Sequence, residues 1–449
     1  MLRPLTIGLL LCGAVWGQAP AAAPPATNNT TTAVNATMSL AEAALTAIQN
    51  HPDLKIAQAQ IDQAQAALRT ATAPFYPTLR GSSTFNYSEA QNAGVGGQAV
   101  VRPGGVRNYQ VGIAASQLLT DFGRTSSAVD AAAQNKLASE WQKGDAVQTL
   151  LLRVSESYFT VLRTHLDVDI NTDNVRNAEV QVARARGFFE AGTRAKIEVT
   201  RAEADLATAK VGLIKAQNDK QKAMAAFLTS LGGNANGGEV NLEVSGLQPP
   251  PWDREETIAK AKETRPDLLA AFARVKAAEA RLRNAEAQYY PSFNANYSYA
   301  WSEATFIPTP FNWGVGVTMS VPLINEPTLS AGVQNAEAQR VQAEGNQELL
   351  ALQVQLQAVE SWINLQESRA RLEASRSAVK FNEENYRLAS ERYNVGVGSS
   401  LEVSDAQRLL IQARSQEVQA RFDVQLAIAR LYRQAGSLTL EALLPAKPQ

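Results

Sequence analysis

Thiols are almost absent from this sequence. Its 449 residues hold one cysteine, Cys12, with two histidines and four methionines. Cys12 lies in an apolar start, Leu5 to Val15, that follows the positive Arg3 and is too short to span a bilayer. Such a start is a secretory signal. Cleavage is expected after Gly17, because a cut after Ala19 would put Pro20 directly behind it. Large Leu11 in front of Cys12, and the brevity of the apolar run, argue against a lipid-bearing cysteine. With Cys12 removed the mature chain has no thiol, which excludes disulfides and thiolate metal sites. So few histidines and methionines leave no donors for a soft-metal relay, and no metal or cofactor is expected. An excess of one charge is missing too: 42 basic against 43 acidic residues exclude the basic face that nucleic acid requires. Residues 18–37 are mostly Ala, Pro, Thr and Asn with almost nothing to bury, so they read as a disordered leader.

The sequence does contain a duplication. His51-Pro52-Asp53-Leu54 returns as Arg265-Pro266-Asp267-Leu268, 214 residues later. Tyr76-Pro77 and Tyr290-Pro291 keep that offset, as do Ser88-Glu89-Ala90 and Ser302-Glu303-Ala304. From Gly112 and Gly316 onward the offset is 204, through Gly192 and Gly396, Glu198 and Glu402, and Gly232 and Gly436. Ten extra residues therefore lie between Ala90 and Gly112, in the glycine-rich stretch Asn92 to Gly105, which reads as a loop. The copies run 38–245 and 246–436, with a tail at 437–449. Beyond Gly112 both keep one length despite divergence, and since loops tolerate insertion, rods of matched length are implied. His51 and His165 answer to Arg265 and Arg369 in the other copy, which suits interchangeable surface or cap positions; no catalytic set is visible.

Leu268, Val275 and Leu282 recur every seven residues with Ala271, Ala278 and Ala285 between them, and Leu54, Ile61 and Leu68 do the same with Ala57, Ala64 and Ala71. A second row joins Val403, Leu410, Val424 and Leu431 to Ala406, Ala413, Ala420 and Ala427, broken only at Glu417. Its first-copy partner joins Val199, Leu206, Leu213 and Phe227 to Ala202, Ala209, Ala216 and Ala223, broken at Lys220. Seven-residue rows with alanine at alternate seam positions predict closely approaching coiled-coil helices. The segments Arg124 to Arg186 and Thr328 to Arg392 predict uninterrupted helices on the order of 95 Å long. Shorter helices are expected near Asp53 to Ala73 and Lys196 to Leu231.

Two stretches change period. Phe293, Ala295, Tyr297, Tyr299 and Trp301 alternate with small or polar residues, and Trp313, Val315, Val317, Met319 and Val321 do likewise. Strand pairs are predicted at 291–302/312–322 and, more weakly, at 77–89/108–120. The length is that of a tilted membrane strand, and the aromatic face, with Tyr297, Tyr299, Trp301 and Trp313, is expected to face lipid. Four strands cannot close a barrel, and open edges are not tolerated in lipid, so the chain must oligomerise. Two chains give eight strands and three give twelve; only the larger number leaves an open lumen. The fold class is mainly α with a membrane β-barrel.

Duplicated helical hairpins, proline-bounded strand pairs and glycine-containing helical turns together resemble the TolC-like outer-membrane efflux family, from Met38 to Gly436. The most specific stretch, Tyr393-Asn394-Val395-Gly396 through Leu401-Glu402-Val403-Ser404-Asp405-Ala406, resembles the family's periplasmic tip. The resemblance implies a homotrimer with a twelve-stranded barrel in the outer membrane, a long periplasmic α-helical barrel, and an equatorial region near 233–251. It further implies a passive duct, not an enzyme, that docks a periplasmic adaptor and an inner-membrane transporter. One segment departs: the first copy keeps Asp121-Phe122-Gly123-Arg124, whereas the second reads Asn325-Glu326-Pro327-Thr328, which bears on the barrel-to-helix junction.

The turns 188–196 and 393–400 are expected at the tip. Gly192, Gly396 and Gly398 suit tight turns, and the resemblance implies that Tyr393 and Arg194, with these glycines, belong to the gate and that Thr193 and Val397 contact the adaptor. Glu402 and Asp405, three residues apart on one helical face, are expected with Glu198 to line an acidic entrance, and Asp405 matches the family position that constricts the pore. Ser399-Ser400-Leu401-Glu402 also reads as a capping box. Where the family's second-copy tip can carry a basic latch, this chain has Gly398, while the first copy offers Arg194 to pair with Glu198 or reach Glu402. The alternative reading is a periplasmic adaptor or coiled-coil scaffold, which has no need of aromatic-faced strands.

Overall fold

A computed structural model describes residues 37–88, 106–235, 238, 240–244, 246–303, 311–323 and 325–443. The expected signal, the leader up to Ala36 and the glycine-rich loop lie outside them. In chain order the elements are α1 (Leu40–Asn50), α2 (Pro52–Thr72), β1 (Thr78–Ser88), β2 (Val106–Thr120), α3 (Arg124–Glu190) and α4 (Lys196–Ser230). The second copy repeats them as α5 (Arg254–Thr264), α6 (Pro266–Glu286), β3 (Ser292–Glu303), β4 (Phe311–Ser320), α7 (Glu326–Asn394) and α8 (Ser400–Gln434).

Each copy opens on capped helices. The Ser39 hydroxyl accepts from the Glu42 N–H at 3.3 Å while the Glu42 carboxylate accepts from the Ser39 N–H at 2.9 Å, and Asp253 and Glu256 do the same for α5. These reciprocal bonds satisfy donors that a helix start leaves orphaned. Pro52 and Pro266, which need no N–H at a first helical position, then begin α2 and α6. The long helices α3 and α7 have 67 and 69 residues. They run a few residues past the expected ends, since nothing stops them before Gly192 and Gly396 turn left-handed.

α3 packs against α2 and α4 on one flank and α6 and α8 on the other, and α7 lies beyond α6 and α8. The alanine rows are the buried seams: Ala209, Ala216 and Ala223 in α4, and Ala406, Ala413, Ala420 and Ala427 in α8. In α2 the predicted row fades, and Ile61, Ala64 and Leu68 are only half-buried, because this helix is covered on one side alone. The largest core sits midway along α3, where Tyr158, Phe159, Phe227, Ile428 and Leu431 are fully buried. Tyr158 stacks edge-on against Phe227 at 5.9 Å, and its hydroxyl donates to the carbonyls of Glu243 at 2.6 Å and Met38 at 3.1 Å. Met38 bridges Leu242 there, so the chain start and the inter-copy link are sewn onto one belt. The expected tail contributes to the same core through Leu438 and Leu443.

His51 and Arg265 both hold the N-cap position, of α2 and α6, as interchangeable cap positions would, but only His51 caps with its side chain. His51 caps α2 by accepting from the Asp53 N–H at 3.2 Å. Arg265 is not a surface position: it is 4% exposed, paired with Asp267 at 2.6 Å, and donates to Gln357 and Gln434, each at 2.7 Å. Gly436 lies hard against it, where a Cβ would come within 2.7 Å of the Arg265 nitrogen. His165 is exposed.

The four strands form one antiparallel sheet in the order β1-β2-β3-β4, so the β2–β3 pair joins the copies. The register sets Tyr299 opposite Trp313, Trp301 opposite Phe311 and Tyr297 opposite Val315, all on one face with Leu79, Phe85, Val111 and Ile113. The other face carries Thr78, Ser82, Thr84, Ser116, Asn296, Ser298 and Thr318. Trp313 is 64% exposed on its apolar face, and among the described residues the outer edges of β1 and β4 have no partner strand.

Candidate functional site

The turn between α3 and α4 and the turn between α7 and α8 meet at one end of the helices. In the first, the Thr193 N–H and hydroxyl both donate to the Phe188 carbonyl, at 3.0 and 2.9 Å. In the second, the N–H groups of Val397 and Gly398 donate to the Arg392 carbonyl. A Cβ at Gly398 would lie 2.9 Å from the Tyr393 nitrogen, so this turn admits no larger residue without shifting. Thr193 is exposed and Val397 is 73% exposed.

Arg194 ties the turns together. Its guanidinium donates to the carbonyls of Gly396 at 3.3 Å and Gly398 at 3.1 Å, and to Glu198 at 3.3 Å. It also stands over the ring of Tyr393, 5.3 Å from the centroid, within cation–π range. Tyr393 is 2% exposed, packs edge-on against Phe188, and donates its hydroxyl to Glu198 at 3.0 Å. Burial pushes the Tyr393 phenol above its usual range, and the bond to the Glu198 carboxylate adds to that. Of the two partners expected for Arg194, the geometry selects Glu198.

Glu402 and Asp405 stand apart from this cluster. Ser399 accepts from the Glu402 N–H at 3.2 Å, which is half of the expected capping box. The Glu402 carboxylate pairs instead with Arg392 at 3.7 Å, and Asp405 pairs with Arg408 at 3.4 Å. Both acids remain about half exposed, so neither pair is strong. Arg408 was legible as an i, i+3 partner. Arg392 was not, because its approach to Glu402 depends on how the turn folds.

Behind the tip, α3, α4, α8 and the end of α7 border a cavity of about 310 Å³ lined by Asn174, Gln181, Asp205, Tyr393, Val403 and Gln407 among others. Ser404 donates to Asp205 at 2.8 Å and Gln407 to Asn174 at 2.9 Å, so the wall is laced by bonds between the copies. Among the described residues no group of His, Cys, Asp and Glu is arranged to hold a metal ion.

The sequence matches the family described as outer membrane efflux protein over residues 44–233 and 257–437. The chain belongs to that family. Among relatives of this outer membrane efflux protein, the probable outer membrane lipoprotein SilC of Salmonella typhimurium is 24% identical, covering 87% of this chain and 84% of its own. Outer membrane protein OprJ of Pseudomonas aeruginosa is 26% identical over 87% of this chain and 82% of its own. The fold is that of the Campylobacter jejuni CmeC outer membrane channel, with a TM-score of 0.79 at 17% identity, covering 89% of this chain and 86% of that one. The efflux protein described above is thus an outer-membrane exit duct with a long periplasmic helical part, in a family of passive channel proteins.

Proposed function

We propose that three copies of this efflux protein close into one duct, a twelve-stranded barrel in the outer membrane above an α-helical tube. Its tip receives a periplasmic adaptor coupled to an inner-membrane transporter. The observation that carries the reading is that both layers end in matching open edges. β1 and β4 lack partner strands among the described residues, and the helices beneath them are equally bare. α7 exposes Leu349, Leu352, Leu356 and Ile363 along its uncovered side, while α2 exposes Ile56 and α4 exposes Val211 and Ile214. A head-to-tail contact between such edges closes into a ring when the rotation per copy divides the circle. The strands are read as the part in the bilayer, with Tyr297, Tyr299, Trp301 and Trp313 on the one apolar face of the sheet toward lipid.

The tip cluster of Arg194, Glu198 and Tyr393, with the Gly192, Gly396 and Gly398 turns, holds the hairpins together and so sets the entrance. Thr193 and Val397 offer the adaptor an exposed surface. Glu402 and Asp405, repeated three times, give the entrance its acidic character, partly offset by Arg392 and Arg408. Single-channel recording tests this. The Glu402→Gln, Asp405→Asn double variant should lose cation preference and block by multivalent cations from the tip side. Unchanged selectivity and block would move the acidic ring elsewhere.

A further inference from the structure

The polar face of the sheet is nearly free of charge. Through the four strands it presents Ser, Thr, Asn, Gln, Gly and Ala with a few apolar residues at the strand ends, and among the described residues it carries no aspartate or glutamate. One charged residue stands on it, Arg80 of β1. Its cross-strand row continues through Ala114, Ser298 and Gly314, the smallest side chains available, so nothing on that row shields or neutralises the guanidinium. Arg80 is exposed and lies one inner-face step, about 7 Å, beyond Thr78, the first residue of the strand.

Directly beneath that step is a cavity of about 490 Å³ at the junction of strands and helices. Thr78, Ser116 and Asn294 of the same polar face line it, with Asn284 and Arg124, and no carboxylate is in its lining. Arg124 stands 4.0 Å from Asp121, so its charge is partly offset, whereas Arg80 has no acid on its face. The cavity wall beside Arg124, at the start of α3, is mostly hydroxyl and amide in its polar groups, and so is the polar face around Arg80.

We propose that Arg80, repeated by threefold symmetry, forms a cationic ring inside the barrel that binds the anionic groups of passing cargo. The ligand class is carboxylate, sulfonate or phosphate. The inference rests on the three-copy barrel proposed above. A twelve-stranded barrel is roughly 24 Å across at the backbone, given strands about 4.8 Å apart and tilted by about 40°. Arginine side chains reaching inward from that wall leave little of the cross-section farther than a Debye length, about 8 Å at physiological salt, from a guanidinium. A neighbour's β4 adds only Asn312, Gly314, Gly316, Thr318 and Ser320 to the inner face, so closure supplies no counter-charge. Charge of one sign on a narrow, uncharged wall focuses the field and concentrates counter-ions. Arginine also grips planar anions through two parallel N–H bonds, which lysine cannot match.

The experiment compares the full chain with Arg80→Gln and Arg80→Lys in planar bilayers under a potassium chloride gradient. Chloride-to-potassium permeability should fall at least about twofold in Arg80→Gln and be largely kept in Arg80→Lys. Equal ratios in all three overturn the ring. If the entrance stays shut in recordings, tripolyphosphate binding to the detergent-purified protein gives the answer, because the ring requires no open tip. Affinity should drop at least about tenfold in Arg80→Gln and not in the exposed-helix control Arg376→Gln; equal affinity again overturns it. A folded monomer in mild detergent would sink the barrel reading and the ring together, whereas a trimer with unchanged selectivity and binding would sink the ring alone.

Discussion

Midway along α3, Tyr158 and Phe159 meet Phe227 and Phe422 inside a core that draws on α1, α3, α4, α7 and α8. At the tip the same long helices share only a small buried cluster, Ala389, Tyr393, Val403 and Ala406, and the remaining ties run through Arg194, Glu198 and backbone carbonyls. Apolar burial is non-directional and contributes in proportion to area, whereas a single hydrogen bond contributes about 1 kcal/mol net. One pair of hairpins is therefore anchored at the belt and only latched at the tip. The tip is thus the more weakly held end of the hairpins.

The belt gives the largest expected effects. Phe227→Ala should cost about 3–5 kcal/mol, since a fully buried phenylalanine leaves a cavity as well as losing its contacts. Thermal unfolding of the detergent-purified protein reads this, and an unshifted transition would mean that the belt is not the anchor. Asp267→Asn should cost about 3 kcal/mol because it strands the buried Arg265 guanidinium. Burial by itself raises the Asp267 carboxyl, but its hydrogen bond to Arg265 and the Arg265 charge outweigh that and hold it below the usual range. A depressed carboxyl contributes stability that is present above its unfolded value, near pH 4, and is lost as pH falls through the folded value. Acid unfolding below about pH 4 should thus be steeper in the wild type than in Asp267→Asn; parallel curves would remove Arg265 and Asp267 as the cause.

At the tip the expected stability effects are smaller and the functional ones are not. Tyr393→Phe should cost about 1.5–3 kcal/mol, less than Phe227→Ala because one charge-assisted bond is lost and no cavity opens, and raise the open probability of the channel. The Tyr393 phenol is raised, so the stability it contributes is present below about pH 10 and is lost as pH climbs through its higher folded value. Wild-type channels should open more readily at strongly alkaline pH, with Tyr393→Phe open beforehand and insensitive to the change. Identical conductance in the two proteins at neutral and alkaline pH would erase the contrast between anchor and latch.

Much of this was legible in the sequence, for reasons that are local. Heptad rows of Leu, Val and Ala state which helix side is buried, and the alternation from Phe293 to Trp301 states which strand side is apolar, because those periods follow from backbone geometry. The rotation of one turn against another has no such period. That is why the sequence leaves Arg194 with two possible partners, Glu198 and Glu402, of which the folded turn pairs it with Glu198, and why it does not reveal Arg392 as the partner of Glu402. Arg265 misled in another way: its first-copy counterpart is His51, and nothing in that exchange reveals that Asp267, Gln357 and Gln434 would enclose it.

From the tip through the belt, α8 runs 35 residues, about 52 Å, with no break in its hydrogen-bond ladder. A rod of that length is a lever whose fulcrum is the buried core. A tilt of only about 6° at the fulcrum, well inside what packed helices accommodate by sliding, carries the far end about 5 Å. Three such levers moving together would change the aperture by more than the width of a hydrated ion while the belt scarcely moved. In the proposed duct the length of the helices would act as mechanical gain, turning a displacement too small to disturb a core into one large enough to admit a cargo.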